Sequence, residues 1–128
     1  MKVKYVLIGL VISFLLIRVF HFAVAPYHYQ LFALFLAYTA CVYLGAALSD
    51  SRLNIILTET VVSIVIFACA YLGMVYSPFW VALGYLLHGT WDLFHHPKLI
   101  SIKIVKAFPP LCVVVDFSVA AFIFYYFL

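Results

Sequence analysis

Long apolar runs, separated only by short polar or proline-containing breaks, occupy almost the whole chain. A helix that crosses the hydrocarbon of a bilayer needs about 20 such residues in sequence. Five runs meet or approach this length, and each is predicted to be a helix. The predicted helices are residues 3–25, 29–48, 53–75, 79–96 and 111–128. The last run is short by a turn, so its helix is expected to begin near Phe108.

Charged residues are too few for a soluble protein. They make up 9% of the chain, against about a quarter in a soluble globular domain. Disorder is excluded because every run is rich in Leu, Val, Ile and Phe, and three cysteines without paired spacing do not form a disulfide framework. The predicted fold class is all-α: an integral membrane bundle of five transmembrane helices with short loops, forming one multi-pass domain over residues 1–128.

The basic residues predict the orientation of this bundle. Six of the seven fall on one side of the five-helix arrangement, and only Arg18 lies elsewhere. The six are Lys2, Lys4, Arg52, Lys98, Lys103 and Lys106. Because basic residues accumulate on the cytoplasmic side, we expect a cell-membrane protein with a cytoplasmic N-terminus and an extracytoplasmic C-terminus. The placement of basic residues on the cytoplasmic side therefore explains the net charge of +3. A nucleic-acid partner is not expected.

The first apolar run also imitates a secretory signal peptide. Basic residues precede it, and it ends in the small residues Ala-Val-Ala at positions 23–25. Pro26 would then directly follow the cut, and the bulky Arg18 and His21 precede it, which fits a signal peptidase poorly. We therefore expect an uncleaved first helix.

One short segment concentrates the ionisable side chains. Residues 88–96, HGTWDLFHH, hold three of the five histidines and one of the four acids. Ionisable groups are costly in hydrocarbon, so such a cluster indicates a functional site. His88, Asp92 and either His95 or His96 follow helical spacing and share one face. Imidazole and carboxylate are ligands of zinc and iron, so these four residues are the predicted ligands of a divalent metal ion.

Two further acids lie in apolar runs at a similar depth. Glu59 and Asp116 are each about two turns, near 10 Å, from the predicted cytoplasmic helix ends. A carboxylate at that depth must be protonated, paired or metal-bound. We expect both to face His88 and Asp92, as a further ligand or as the catalytic acid or base. The alternatives are a Glu59 pair with Arg52 and a structural pairing of Asp116 with another helix.

The 88–96 cluster has two other interpretations. It could be a polar cap at the wet end of the fourth helix, or a proton relay or substrate site without metal. Gly89 and Trp91 are expected to serve helix packing, because glycine allows two helices to approach closely.

The pattern His88-Gly89-x-Trp91-Asp92-x-x-His95-His96 resembles a motif of short bacterial integral membrane proteins of unknown function. Its shorter part, His88-Gly89-x-x-Asp92, is similar to a pattern in bacterial membrane-embedded carotene dioxygenases, a resemblance that implies an iron site. Several His and Asp residues on helices near one interface also resemble the alkaline-ceramidase superfamily of zinc hydrolases, which have seven helices.

These observations leave three functions open. The first is a small metal-dependent membrane enzyme acting on a lipid or isoprenoid at the cytoplasmic leaflet. The second is a proton- or cation-coupled transporter or channel subunit that uses Glu59, Asp116 and His88. The third is a structural accessory protein whose polar cluster only joins helices. The expected partners are the lipid bilayer and the lipid or isoprenoid substrate, with a homo-oligomer as an open alternative.

Overall fold

Helices make up nearly all of the structure, a computed structural model that describes residues 1–23, 28–95, 102 and 104–128. The described residues form five α-helices, which are α1 (Val3–Arg18), α2 (His28–Leu48), α3 (Leu53–Val75), α4 (Pro78–His95) and α5 (Phe108–Phe127). The described residues contain no β-strand. The predicted all-α class is confirmed. The first helix differs from prediction, since α1 continues as a π-helical turn, Val19–Ala23.

Prolines account for two of the helix starts. Pro78 is the first residue of α4, and the Ser77 hydroxyl accepts a hydrogen bond from the Phe79 N–H at 3.2 Å. Pro109 and Pro110 lie in the first turn of α5, where a missing N–H leaves no helical hydrogen bond unmade. This is why α5 begins at Phe108, as predicted.

The loop between α2 and α3 is held by a local ion pair. The Arg52 guanidinium donates hydrogen bonds to the Asp50 carboxylate at 2.7 and 2.9 Å. The hydrogen bond to Asp50 raises the pKa of Arg52 above its usual value.

The most polar helix, α4, packs against three others, α2, α3 and α5, while α1 packs on α5 and α2 packs on α3. A Cβ at Gly73 would overlap Val81, so glycine is what lets α3 and α4 approach closely. Large buried apolar side chains fill the interior between these helices. They include Phe32, Leu36, Ile66, Val81, Val119 and Ile123.

Four of the helices are long and apolar enough to cross a membrane. Their apolar segments are Val3–Phe22, Tyr29–Leu48, Leu53–Val75 and Phe108–Phe127. Many of their large apolar side chains point outward, including Leu7, Val11, Phe14, Val61, Ile64 and Tyr125. The 18-residue α4 is the exception, because it carries His88, Asp92 and His95.

Candidate metal centre

Three ionisable side chains of α4 point into the bundle. His88, Asp92 and His95 are 1%, 0% and 5% exposed, so their predicted common face is the buried one. Seven residues separate His88 from His95, which is about 10 Å along a helix axis at 1.5 Å per residue. The face therefore serves two separate groups of polar side chains rather than one.

The first group, which we call the His88 cluster, consists of His88, Asp92 and Asp116. His88 Nδ1 lies 2.6 Å from Asp116 Oδ2 and 3.3 Å from Asp92 Oδ2. One ligand atom from each residue can be chosen so that all three lie within 4.8 Å of one another. Asp116 comes from α5 and is 1% exposed. The His88 cluster thus joins α4 to α5 and has the donors, one nitrogen and two carboxylates, of a divalent metal site.

Gly89 makes this approach of α5 possible. A Cβ at Gly89 would lie 3.1 Å from the Asp116 Cβ, which is tighter than ordinary packing, and 3.5 Å from the Phe117 ring, which is ordinary contact. The expected packing role of Gly89 is therefore present, and it positions Asp116 directly.

Most polar atoms of the His88 cluster have no hydrogen-bond partner within the described part of the chain. They are His88 Nε2, Asp92 Oδ1, Asp92 Oδ2 and Asp116 Oδ1. Nor does any lysine or arginine in that part pair with Asp92 or Asp116. Buried polar atoms are nearly always paired in native proteins, so an unpaired set calls for an explanation. Two carboxylates and one imidazole are suited to binding a cation.

The second group, which we call the Glu59 pair, joins Glu59 of α3 to His95 of α4. His95 Nε2 lies 2.7 Å from Glu59 Oε1, and the Trp91 indole N–H donates to Glu59 Oε2 at 3.0 Å. His95 Nδ1 lies 3.0 Å from the Trp91 carbonyl oxygen, so this nitrogen carries the hydrogen. One more proton then lies between His95 Nε2 and Glu59 Oε1. The Glu59 pair is electrically neutral whichever of the two residues holds that proton.

The structure divides the residues predicted for the site. It brings His88, Asp92 and Asp116 together, and the predicted convergence of Asp116 on His88 is present. It places His95 with Glu59, where both ring nitrogens of His95 already have partners. His96 lies outside the described residues. The alternative partner of Glu59, Arg52, is paired with Asp50.

Two residues near the His88 cluster were not predicted. Tyr43 of α2 is 2% exposed, and its ring lies 5.9 Å from the His88 ring and 4.2 Å from the His95 ring. Cys112 of α5 is buried one turn before Asp116. Tyr43 is one of ten tyrosines in an aromatic-rich chain, so no sequence signal distinguishes it.

A narrow cleft with no room for a water molecule lies beside both groups. It lies between α2, α3 and α4, and both Glu59 and His88 line it together with Tyr43, Ser63 and Trp91. The two groups are therefore separate in their hydrogen bonds, although Glu59 and His88 line the same cleft.

Comparison with known proteins gives a family without an assigned activity. No curated protein matches the chain, and no solved structure does. The model of a family of unknown function, DUF6010, matches residues 4–127, which is nearly the full length. The chain therefore belongs to the DUF6010 family.

Proposed function

We propose that this chain is an integral membrane protein of five spans, with a cytoplasmic N-terminus and an extracytoplasmic C-terminus in the cell membrane. The four long apolar helices support the proposal. The fifth span is α4, which at 18 residues is about 27 Å long, close to the thickness of the hydrocarbon. Its polar face is turned inward onto its neighbours, as intramembrane ionisable residues require.

We further propose that the protein binds one divalent metal ion, zinc or iron, through His88, Asp92 and Asp116. The observation that carries this proposal is the set of buried ligand atoms without partners in the His88 cluster. Neutral imidazole and two carboxylates carry a charge of −2, which a divalent ion balances. Burial of the uncompensated charges would otherwise be expensive, because the surroundings are apolar.

The activity that fits this site best is metal-dependent chemistry on a lipid or isoprenoid. A divalent ion held by His88, Asp92 and Asp116 would polarise an ester or phosphoryl oxygen and would make bound water a stronger nucleophile. Glu59 supplies the acid or base, because it lines the same cleft as His88 and already shares a proton with His95. Trp91 holds the Glu59 carboxylate in place through its indole N–H.

Elemental analysis tests the metal site. Protein expressed in metal-supplemented medium and purified without chelator is expected to carry about one equivalent of zinc or iron, and His88→Ala is expected to remove it. Thr90→Ala is the matched control, since Thr90 is an exposed residue of α4 whose hydroxyl donates to the Leu86 carbonyl. Metal-free wild-type protein would refute the metal site.

Labelling of single cysteines tests the topology. In a background without the native cysteines, a cysteine at Ser51 or Ser101 is expected to react from the cytoplasmic side and one at Ser77 from the outside. Reaction at Ser77 from the cytoplasm would refute the five-span arrangement.

Proton- or cation-coupled transport is the second candidate. It is favoured by the 2.6 Å contact of His88 with Asp116, because a proton held between these groups is displaced when a cation binds. Reconstituted vesicles distinguish the two functions: a transporter moves zinc or protons across the bilayer, whereas an enzyme retains its metal and moves neither.

A further inference from the structure

The geometry points to Tyr43 as the residue that holds Asp92 in position as a metal ligand, by donating its phenolic hydrogen to the Asp92 oxygen that does not bind the ion. This inference rests on the metal site proposed above. It adds a third helix, α2, to a site otherwise built from α4 and α5.

Tyr43 is placed to act on the His88 cluster. Its side chain is almost fully buried, and its ring lies against His95 on one side and Phe108 on another, with centroid distances of 4.2 and 5.6 Å. These contacts restrict the ring and so aim the hydroxyl. Asp92 lies between His88 and His95 on the buried face of α4, and the Tyr43 ring is near both histidines, so its hydroxyl lies in the same part of the bundle as the Asp92 carboxylate.

The buried hydroxyl of Tyr43 also lacks a hydrogen-bond partner among the described residues. Tyr43 Oη makes no hydrogen bond with the described residues, and neither oxygen of Asp92 makes one. Buried tyrosine hydroxyls usually find a partner, as the Tyr85 hydroxyl does by donating to the Phe32 carbonyl at 2.7 Å. An unpaired buried donor and an unpaired buried acceptor in the same part of the bundle indicate a hydrogen bond that forms when Asp92 turns toward an ion.

The chemistry of metal sites explains why this bond matters. A carboxylate that binds a metal through one oxygen is oriented by a hydrogen bond to the other, and loss of such a bond costs about 10- to 100-fold in metal affinity. The phenol keeps its proton, because two carboxylates already balance a divalent ion. Tyr43 is therefore a positioning residue and not a ligand.

Zinc titration of detergent-solubilised protein tests this role. Tyr43→Phe is expected to weaken Zn²⁺ binding by about 10- to 100-fold without lowering the melting temperature of the metal-free protein, since the hydroxyl it removes has no partner there. The matched control is Tyr85→Phe, which removes a buried and bonded hydroxyl. Its expected effect is the reverse: a lower melting temperature and an unchanged zinc affinity.

The other possible outcomes would contradict either the role of Tyr43 or the metal site itself. Zinc affinity within twofold of wild type in Tyr43→Phe would overturn the role of Tyr43 and leave the metal site intact. Loss of stability or folding in metal-free Tyr43→Phe would also overturn it, because the hydroxyl would then be structural. Wild-type protein that binds no zinc or iron would overturn the metal site itself, and the role of Tyr43 with it.

Discussion

Two buried groups of the same chemical type lie along one helix, and they differ in how well their atoms are paired. In the Glu59 pair, both carboxylate oxygens and both imidazole nitrogens have partners. In the His88 cluster, two carboxylates lie near one imidazole nitrogen, and four polar atoms make no hydrogen bond with the described residues. The first group is complete without a ligand, and the second is not.

This difference separates a group that stabilises the fold by its own hydrogen bonds from one that needs a ligand, in a chain where both use histidine and acid. A buried pair with all its hydrogen bonds made holds helices together and is costly to break. A buried group with excess negative charge destabilises the ion-free fold. Such groups are retained at functional sites, where a ligand supplies what is missing. The comparison predicts opposite effects of substitutions in the two groups.

The largest effect is expected in the Glu59 pair. Glu59→Ala leaves His95 Nε2 and the Trp91 indole N–H buried without a partner, and we expect it to lower the free energy of unfolding by about 3 kcal/mol. Unfolding by denaturant in detergent measures this. Glu59→Gln is the control, because its amide accepts from Trp91 and donates to neutral His95, so stability should stay close to wild type. Equal losses in both variants would mean that charge, rather than hydrogen bonding, stabilises the pair.

In the His88 cluster a substitution is expected to stabilise the protein. Asp92→Asn removes one of two negative charges that share a single imidazole, so metal-free protein should gain about 1 kcal/mol of stability. The same variant should lose the bound metal, because an amide is a weak ligand. Thermal unfolding with chelator and elemental analysis measure the two effects. A loss of stability in the metal-free variant would instead make His88 and Asp92 a structural ion pair, like the Glu59 pair.

The helices could largely be predicted from the sequence, because the length of an apolar run and the position of proline are local properties. The residues predicted for the third helix, 53–75, are those observed, and α5 begins at Phe108 as expected. The π-helical turn after α1 could not be predicted, since no residue type in Val19–Ala23 signals it.

The site could be predicted only in part. Spacing along one helix showed that His88, Asp92 and His95 share a face, but it did not show which neighbouring helix lies opposite each of them. His88 and His95 are about 10 Å apart along the axis of α4, so they contact different neighbouring helices. His88 pairs with Asp116 of α5, and His95 pairs with Glu59 of α3. Tertiary packing alone decides that assignment, and it also brings Tyr43 into the site.

The smallest effect is expected where packing supports the His88 cluster without any polar contact. Gly89→Ala places a methyl group 3.1 Å from the Asp116 Cβ, so α5 must move by a few tenths of an ångström. Alanine favours the helix by about 1 kcal/mol over glycine, so overall stability should change little. The displaced Asp116 should weaken zinc binding by about three- to tenfold, roughly 1 kcal/mol.

Gly45→Ala is the matched control, since a Cβ there meets nothing within 4 Å, and it should leave zinc affinity unchanged. If Gly89→Ala also leaves the affinity unchanged, the His88 cluster tolerates movement of α5, and the close approach of the two helices serves packing alone.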